Sequence, residues 1–132
     1  MKITADTNVL VRLVMADDEA QNRVAAEAME SANLVAISIN SLCELAWVLD
    51  RHYGVPRAEI ARTIRRLMET NNVVVNRPAV AAGLSMLDAG GDFADGAIHY
   101  EGHWLGGETF VSFDKKAVKL LRAQGRAAKA LT

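Results

Sequence analysis

Met1-Lys2-Ile3-Thr4-Ala5-Asp6-Thr7-Asn8 places a short apolar strand, Ile3 to Ala5, directly before a polar tripeptide, and an apolar run of helical spacing follows at once. A carboxylate at the carboxyl end of a first strand lies where ligands bind in open α/β sheets, in the crevice beyond the strand ends. Asp6 taken singly is an ambiguous sign, because Asp is also a favoured N-cap residue. Its meaning turns on whether other acids converge on it.

Outward from that junction, Val9, Leu10, Leu13 and Val14 predict a helix from Thr7 to Met15. Asp17-Asp18-Glu19 is a polar break that supplies acid to the first turn of a second helix, Glu19 to Ala32. Leu34 to Ile39 reads as a buried strand. Leu42, Leu45, Ala46 and Leu49 share one face of a helix from Ser41 to Tyr53, which Gly54 ends. Pro56 to Thr70 is the next helix, burying Ile60, Ile64, Leu67 and Met68 and exposing Arg57, Arg62, Arg65 and Arg66. Val73 to Val75 is a third strand, and a helix follows from Pro78 to Ala89. Beyond the Gly90-Gly91 loop, Asp92 to Leu105 is helical in pattern, and beyond Gly106-Gly107 a fourth strand runs from Thr109 to Phe113. Asp114 opens a last helix that Gly125 ends, and Ala127 to Leu131 is a weak final strand.

Strands interleaved with helices need crossover connections, hence parallel pairing. The pattern implies an α/β fold, a three-layer α/β/α sandwich with a mainly parallel central sheet. At 132 residues the chain holds one core and too little for two ordinary domains, so a single domain over 1–132 is expected. The composition is globular, 51% apolar and 23% charged. A net charge of -1 argues against indiscriminate attraction to nucleic acid, but the distribution is uneven. No acid follows Asp114, while Lys115, Lys116, Lys119, Arg122, Arg126 and Lys129 are all basic. The one cysteine, Cys43, excludes an intrachain disulfide and sits in an apolar helical pattern, as an inert core thiol would. No leader pattern and no membrane-length apolar run is present, so a soluble cytoplasmic protein is expected.

Asp6, Glu44, Asp92 with Asp95, and Asp114 each stand where a helix begins, on what parallel topology makes a common edge. Capping explains each one singly, and Ser41-x-x-Glu44 has the form of a capping box. Together they would repel and raise each other's pKa, a cost that ordinary caps avoid by using Ser, Thr or Asn. A divalent cation offsets that repulsion. Carboxylates without His or Cys suit Mg²⁺ or Mn²⁺, hard ions that join protein oxygens to substrate phosphates.

Ile3 to Leu10 (ITADTNVL), Glu44 within Ser41-Leu42-Cys43-Glu44-Leu45, Asp92 to Ile98 (DFADGAI) and Phe110 to Asp114 (FVSFD) resemble, in order and over the whole chain, the motifs of PIN-domain ribonucleases, most closely VapC toxins of bacterial toxin-antitoxin pairs. The resemblance implies an endoribonuclease dependent on Mg²⁺ or Mn²⁺, with Asp6, Glu44, Asp95 and Asp114 as catalytic metal ligands. It implies supporting roles for Thr7, Asn8, Asp92 and Ser112. It further implies a homodimer, a cognate VapB-like antitoxin that blocks the acidic pocket, an RNA substrate, operator DNA bound only through the antitoxin complex, and no membrane. Two departures bear on one helix: Gly96 stands where Ala is common, and His99 to Trp104 (HYEGHW) replaces an Ala-rich stretch.

Other readings compete. His99 and His103 share an i, i+4 face, which fits a metal pair less well than an exposed polar face or dimer contact. Trp47 and Trp104 read as core or interface residues, or as aromatics for base stacking. Arg62, Arg65 and Arg66, with Lys115, Lys116 and Lys119, are candidate RNA contacts as well as ordinary solvated faces. A receiver-like phospho-acceptor domain is a poorer fit, because Asp6 lacks an adjacent acid. A catalytically silent module binding RNA or protein is the remaining alternative.

Overall fold

The computed structural model describes residues 1–132, which divide into two compact units, Met1–Asn76 and Arg77–Thr132. The first holds β1 (Lys2–Thr4), α1 (Thr7–Val14), α2 (Glu19–Ser31), β2 (Leu34–Ala36), α3 (Ile39–Arg51), α4 (Arg57–Glu69) and β3 (Val73–Val74). Its sheet has the order β1-β2-β3 with parallel pairing throughout, Ile3 opposite Val35 and Val35 opposite Val73. Each crossover carries two helices, which is why strand and helix numbers are unequal. Leu10, Val35, Leu42, Leu45, Leu49, Ile60 and Ile64 are each no more than 1% exposed and form the core of this unit.

Two boundaries differ from the sequence expectation. The strand β2 ends at Ala36, and α3 already begins at Ile39, because the Ser38 hydroxyl accepts the backbone N–H of Ser41 at 3.1 Å and caps the helix. Alternating Ile37 and Ile39 had the look of a continuing strand, and the cap overrides it. The capping box expected of Ser41 and Glu44 is therefore not the one used. Met68, expected in the core, is only half-buried on α4.

The second unit holds α5 (Arg77–Asp88), α6 (Phe93–Trp104), β4 (Phe110–Ser112), α7 (Lys115–Ala123) and β5 (Ala128–Ala130). The weak final strand is real: β5 pairs in parallel with β4, Val111 opposite Lys129. Gly125, at φ +79°, makes the reversal between α7 and β5 in a region that side chains disfavour. Met86, Val118, Leu121 and Ala128 pack together, flanked by Phe110, Leu120 and Ala130. Every strand pairing in the chain is parallel, as the interleaved pattern implied. No helix is long and apolar enough to cross a membrane. Trp47 and Trp104, read as core or interface residues, are 55% and 74% exposed.

Gly96 does not loosen α6. A Cβ there would lie 2.1 Å from the carbonyl oxygen of Ala82 and 2.9 Å from Cα of Gly83, so the two helices touch backbone to backbone. Gly83 in turn leaves room for the ring of Phe93, which is 1% exposed. Gly96→Ala gains about 1 kcal/mol of helix propensity. Against it stands an overlap with main-chain atoms that no rotamer relieves. We expect a net loss of about 1–3 kcal/mol, read as a lower urea midpoint at unchanged m-value; a more stable variant would contradict the close packing.

Candidate metal centre

Three acids of the second unit come together. Asp92 occupies the N-cap position of α6 with extended backbone, yet its side chain makes no capping hydrogen bond. Asp95 lies in the first turn of the same helix and is half-buried. Asp114 caps α7 by accepting the Ala117 N–H on Oδ1 at 3.1 Å, and its own N–H donates to Ser112 Oγ at 2.9 Å. One oxygen from each of Asp92, Asp95 and Asp114 lies within 4.8 Å of the others. Around Mg²⁺ cis oxygens are about 3 Å apart and trans oxygens about 4.2 Å, so rotamer changes that draw the three together, or a water in place of one direct ligand, would bring this donor set to the ion.

The electrostatics agree with that fit. Asp95 is pushed above its ordinary value of 3.8, first by burial and then by the charges of Asp92 and Asp114. A cation among the three oxygens reverses the sign of the field at Asp95. All the donors are hard carboxylates, which suits Mg²⁺ or Mn²⁺.

The first unit carries the other two predicted ligands. Asp6 is the N-cap of α1 and accepts the Thr7 N–H at 2.8 Å. Thr7 is the buried polar residue of the chain, 7% exposed, and its hydroxyl donates to Glu44 Oε2 at 3.2 Å. Glu44 is exposed and lies beyond the first turn of α3. With Ser38 in the capping role, Glu44 does no capping work, and a buried hydroxyl of another helix holds its carboxylate. Asn8 borders an apolar groove with Val9, Ala20 and Val24 and makes no hydrogen bond to an acid.

The remaining sequence candidates are placed as follows. Arg62 is ion-paired with Glu59, while Arg65 and Arg66 are exposed on α4. Lys115, Lys116 and Lys119 are exposed at the start of α7. His99 packs against Phe110 with ring centroids 6.3 Å apart, and burial, aided by Arg126 and His103, lowers its pKa. His99 thus belongs to packing and His103 to the exposed face, and neither is in the carboxylate cluster. Sequence reasoning ranked Asp92 below Asp95, although the structure gives them equal standing in the cluster. The signal was a D-x-x-D at a helix start with no need for two acids in one cap.

The raised pKa of Asp95 sets a pH dependence. From 3.8 up to the folded value, the folded state binds more protons than the unfolded one, so stability falls as pH rises through that window. Above it the loss is constant. Asp95→Asn should therefore raise the melting temperature of metal-free protein at neutral pH, with the gain vanishing below pH 3.8. Added Mg²⁺ should stabilise the wild type and leave the variant nearly unmoved. Equal metal-free stabilities at neutral pH would remove the crowding argument.

No curated protein matches the chain. The model of the PIN domain family matches residues 3–122, a span that contains Asp6, Thr7, Glu44, Asp92, Asp95 and Asp114. Domains of this family are generally nuclease modules, typically dependent on Mg²⁺ or Mn²⁺, with the three-layer α/β/α fold to which interleaved helices and parallel strands belong. With its acidic cluster at the helix starts and a match over nearly its whole length, the chain belongs to the PIN domain family.

Proposed function

We propose that this protein is a metal-dependent endoribonuclease acting as the toxin of a VapBC-type pair. The observation that carries the nuclease reading is the convergence of Asp92, Asp95 and Asp114, with the pKa of Asp95 raised by burial and by its two neighbours, in a chain of this family. The toxin role, the VapB-like antitoxin, the homodimer and the inclusion of Asp6 and Glu44 among the ligands rest on the order of the motifs along the sequence. The treatment of 1–132 as one functional domain rests on its length, and the cytoplasmic location on its single cysteine.

Bound Mg²⁺ or Mn²⁺ supplies charge neutralisation for the phosphate and acidifies a water for attack. The protein's own groups do the rest. Asp95 and Asp114, joined by Asp92, would hold the ion from the starts of α6 and α7. Ser112 fixes the backbone at Asp114 by accepting its N–H, and so fixes where that carboxylate begins. First-turn N–H groups of α7 add donors for a phosphate oxygen. Lys115, Lys116 and Lys119 draw the polyanion to an otherwise acidic place. Thr7 orients Glu44 through its hydroxyl. Hydrolysis then leaves a 5'-phosphate and a 3'-hydroxyl.

The test is cleavage of a labelled oligoribonucleotide with Mg²⁺, abolished by chelation. Asp114→Asn and Asp6→Asn should each lower the rate by at least about a hundredfold, with circular dichroism unchanged. A wild type that binds RNA without cutting it would favour the silent module instead. Growth arrest on expression, relieved by Asp114→Asn, tests the toxin role separately.

Thr7→Val keeps the shape of the side chain and deletes the donor to Glu44. Groups that orient a ligand typically contribute about 10- to 100-fold in metal affinity or activity. We expect a loss at the lower end of that range in Mn²⁺ affinity by calorimetry, with the unfolding midpoint little changed because Glu44 is exposed and water replaces its partner. An unchanged affinity would reduce Thr7 to a core-filling residue.

A further inference from the structure

Of the three phenylalanines, Phe93 is 1% exposed beneath Gly83 and Phe110 is packed against His99, whereas Phe113 is 74% exposed. Trp104, equally exposed, at least meets Tyr100 edge to face, and Trp47 meets His52. Phe113 has no ring partner. An apolar side chain left alone on a surface is unremarkable in general. The position of this one is not general, since it directly precedes Asp114 of the carboxylate cluster and directly follows Ser112, which binds the Asp114 N–H.

The backbone there is anchored on both sides. On one side β4 is paired with β5 up to Ser112, and on the other α7 starts at Lys115 under the Asp114 cap. A ring attached to so fixed a segment loses little conformational entropy when something stacks on it, because only two side-chain torsions remain. Lys115, Lys116 and Lys119 follow within six residues and are exposed, so the aromatic stands beside a basic segment. Aromatic faces interleaved with cations are what single-stranded nucleic acid requires: stacking for the bases and charge for the backbone. Val111, two residues earlier on β4, is exposed too, but the three residues after Phe113 offer an acid and two lysines, which suits a polyanion better than an apolar protein surface.

We infer that Phe113 is a stacking platform for an unpaired nucleobase of RNA bound at the Asp92, Asp95 and Asp114 cluster. The inference rests on the nuclease reading for the identity of the ligand. It adds a specificity element, because a base held in a duplex is stacked already and has no free face to offer.

Binding is measured by fluorescence anisotropy of the full chain with one labelled oligoribonucleotide, unstructured or closed into a hairpin, in Ca²⁺ so that the measurement does not depend on turnover. The wild type should prefer the unstructured form. Phe113→Ala should weaken that form by about 5- to 150-fold and affect the hairpin much less. Phe113→Trp should retain the affinity, and Phe113→Leu, apolar but without a π face, should not. Equal affinity of wild type and Phe113→Ala, or Leu serving as well as Trp, overturns the inference. So does a Phe113→Ala variant whose only change is weaker self-association. The two readings fail separately: a wild type that cuts RNA in Mg²⁺ while Phe113→Ala binds normally removes only the stacking. A wild type with the stacking pattern but no cleavage removes only the nuclease.

Discussion

Like charges forced together are the constraint on which the second unit depends. Asp95 is raised by burial and by Asp92 and Asp114, and nothing in the fold itself relieves that. The three carboxylates start from backbone that packing holds in place, and Asp95 is half-buried between its exposed neighbours. Gly96 and Gly83 bring α6 against α5 at backbone contact, which fixes the helix that carries Asp92 and Asp95. Pairing of β4 with β5 and the Ser112–Asp114 bond fix the third acid. Packing thus holds an arrangement that disfavours the charge on Asp95 until a cation enters.

The first unit handles its acids differently. Glu44 is exposed and stands at the surface, yet its direction is set by the hydroxyl of a nearly buried Thr7. A charge-assisted hydrogen bond from a buried donor orients a carboxylate without crowding it by another. Asp6 is held by the Thr7 N–H, so Thr7 serves two carboxylates, one through its main chain and one through its side chain. Supporting polar residues in such motifs are positional devices more than reactive groups.

Much of this was legible in the sequence, because helix starts advertise themselves chemically. The 3.6-residue periodicity located all seven helices to within a few residues, and Gly54 and Gly125 marked two reversals that adopt positive φ. What remained hidden was which of two polar residues serves a given end. Ser38 and Ser41 are equally good caps on paper, and only the chain's exit from β2 decides for Ser38. That choice matters, since it frees Glu44 from the capping box. Gly96 was equally opaque: sequence shows a glycine weakening a helix, while only tertiary contact with Ala82 shows why an alanine does not fit. Asp92 was read only as a supporting acid for a third reason, since distance to Asp114 depends on where β4 ends.

Capping and metal binding are usually treated as rival explanations of an acid at a helix start, and here they separate residue by residue. Asp114 caps with Oδ1, which leaves its second oxygen for another partner, so one side chain serves both purposes. Asp92 holds the N-cap position without a capping hydrogen bond, so only the weaker pull of the helix dipole gives a local reason for an acid there. Asp95 is worse than neutral locally, since burial first and then its two negative neighbours raise its pKa although it stands at the start of the helix. The less an acid contributes to its own helix, the more its presence has to be explained by what the cluster binds. By that measure Asp95 and Asp92 are stronger witnesses to a cation than Asp114, although Asp114 sits in the more conspicuous motif.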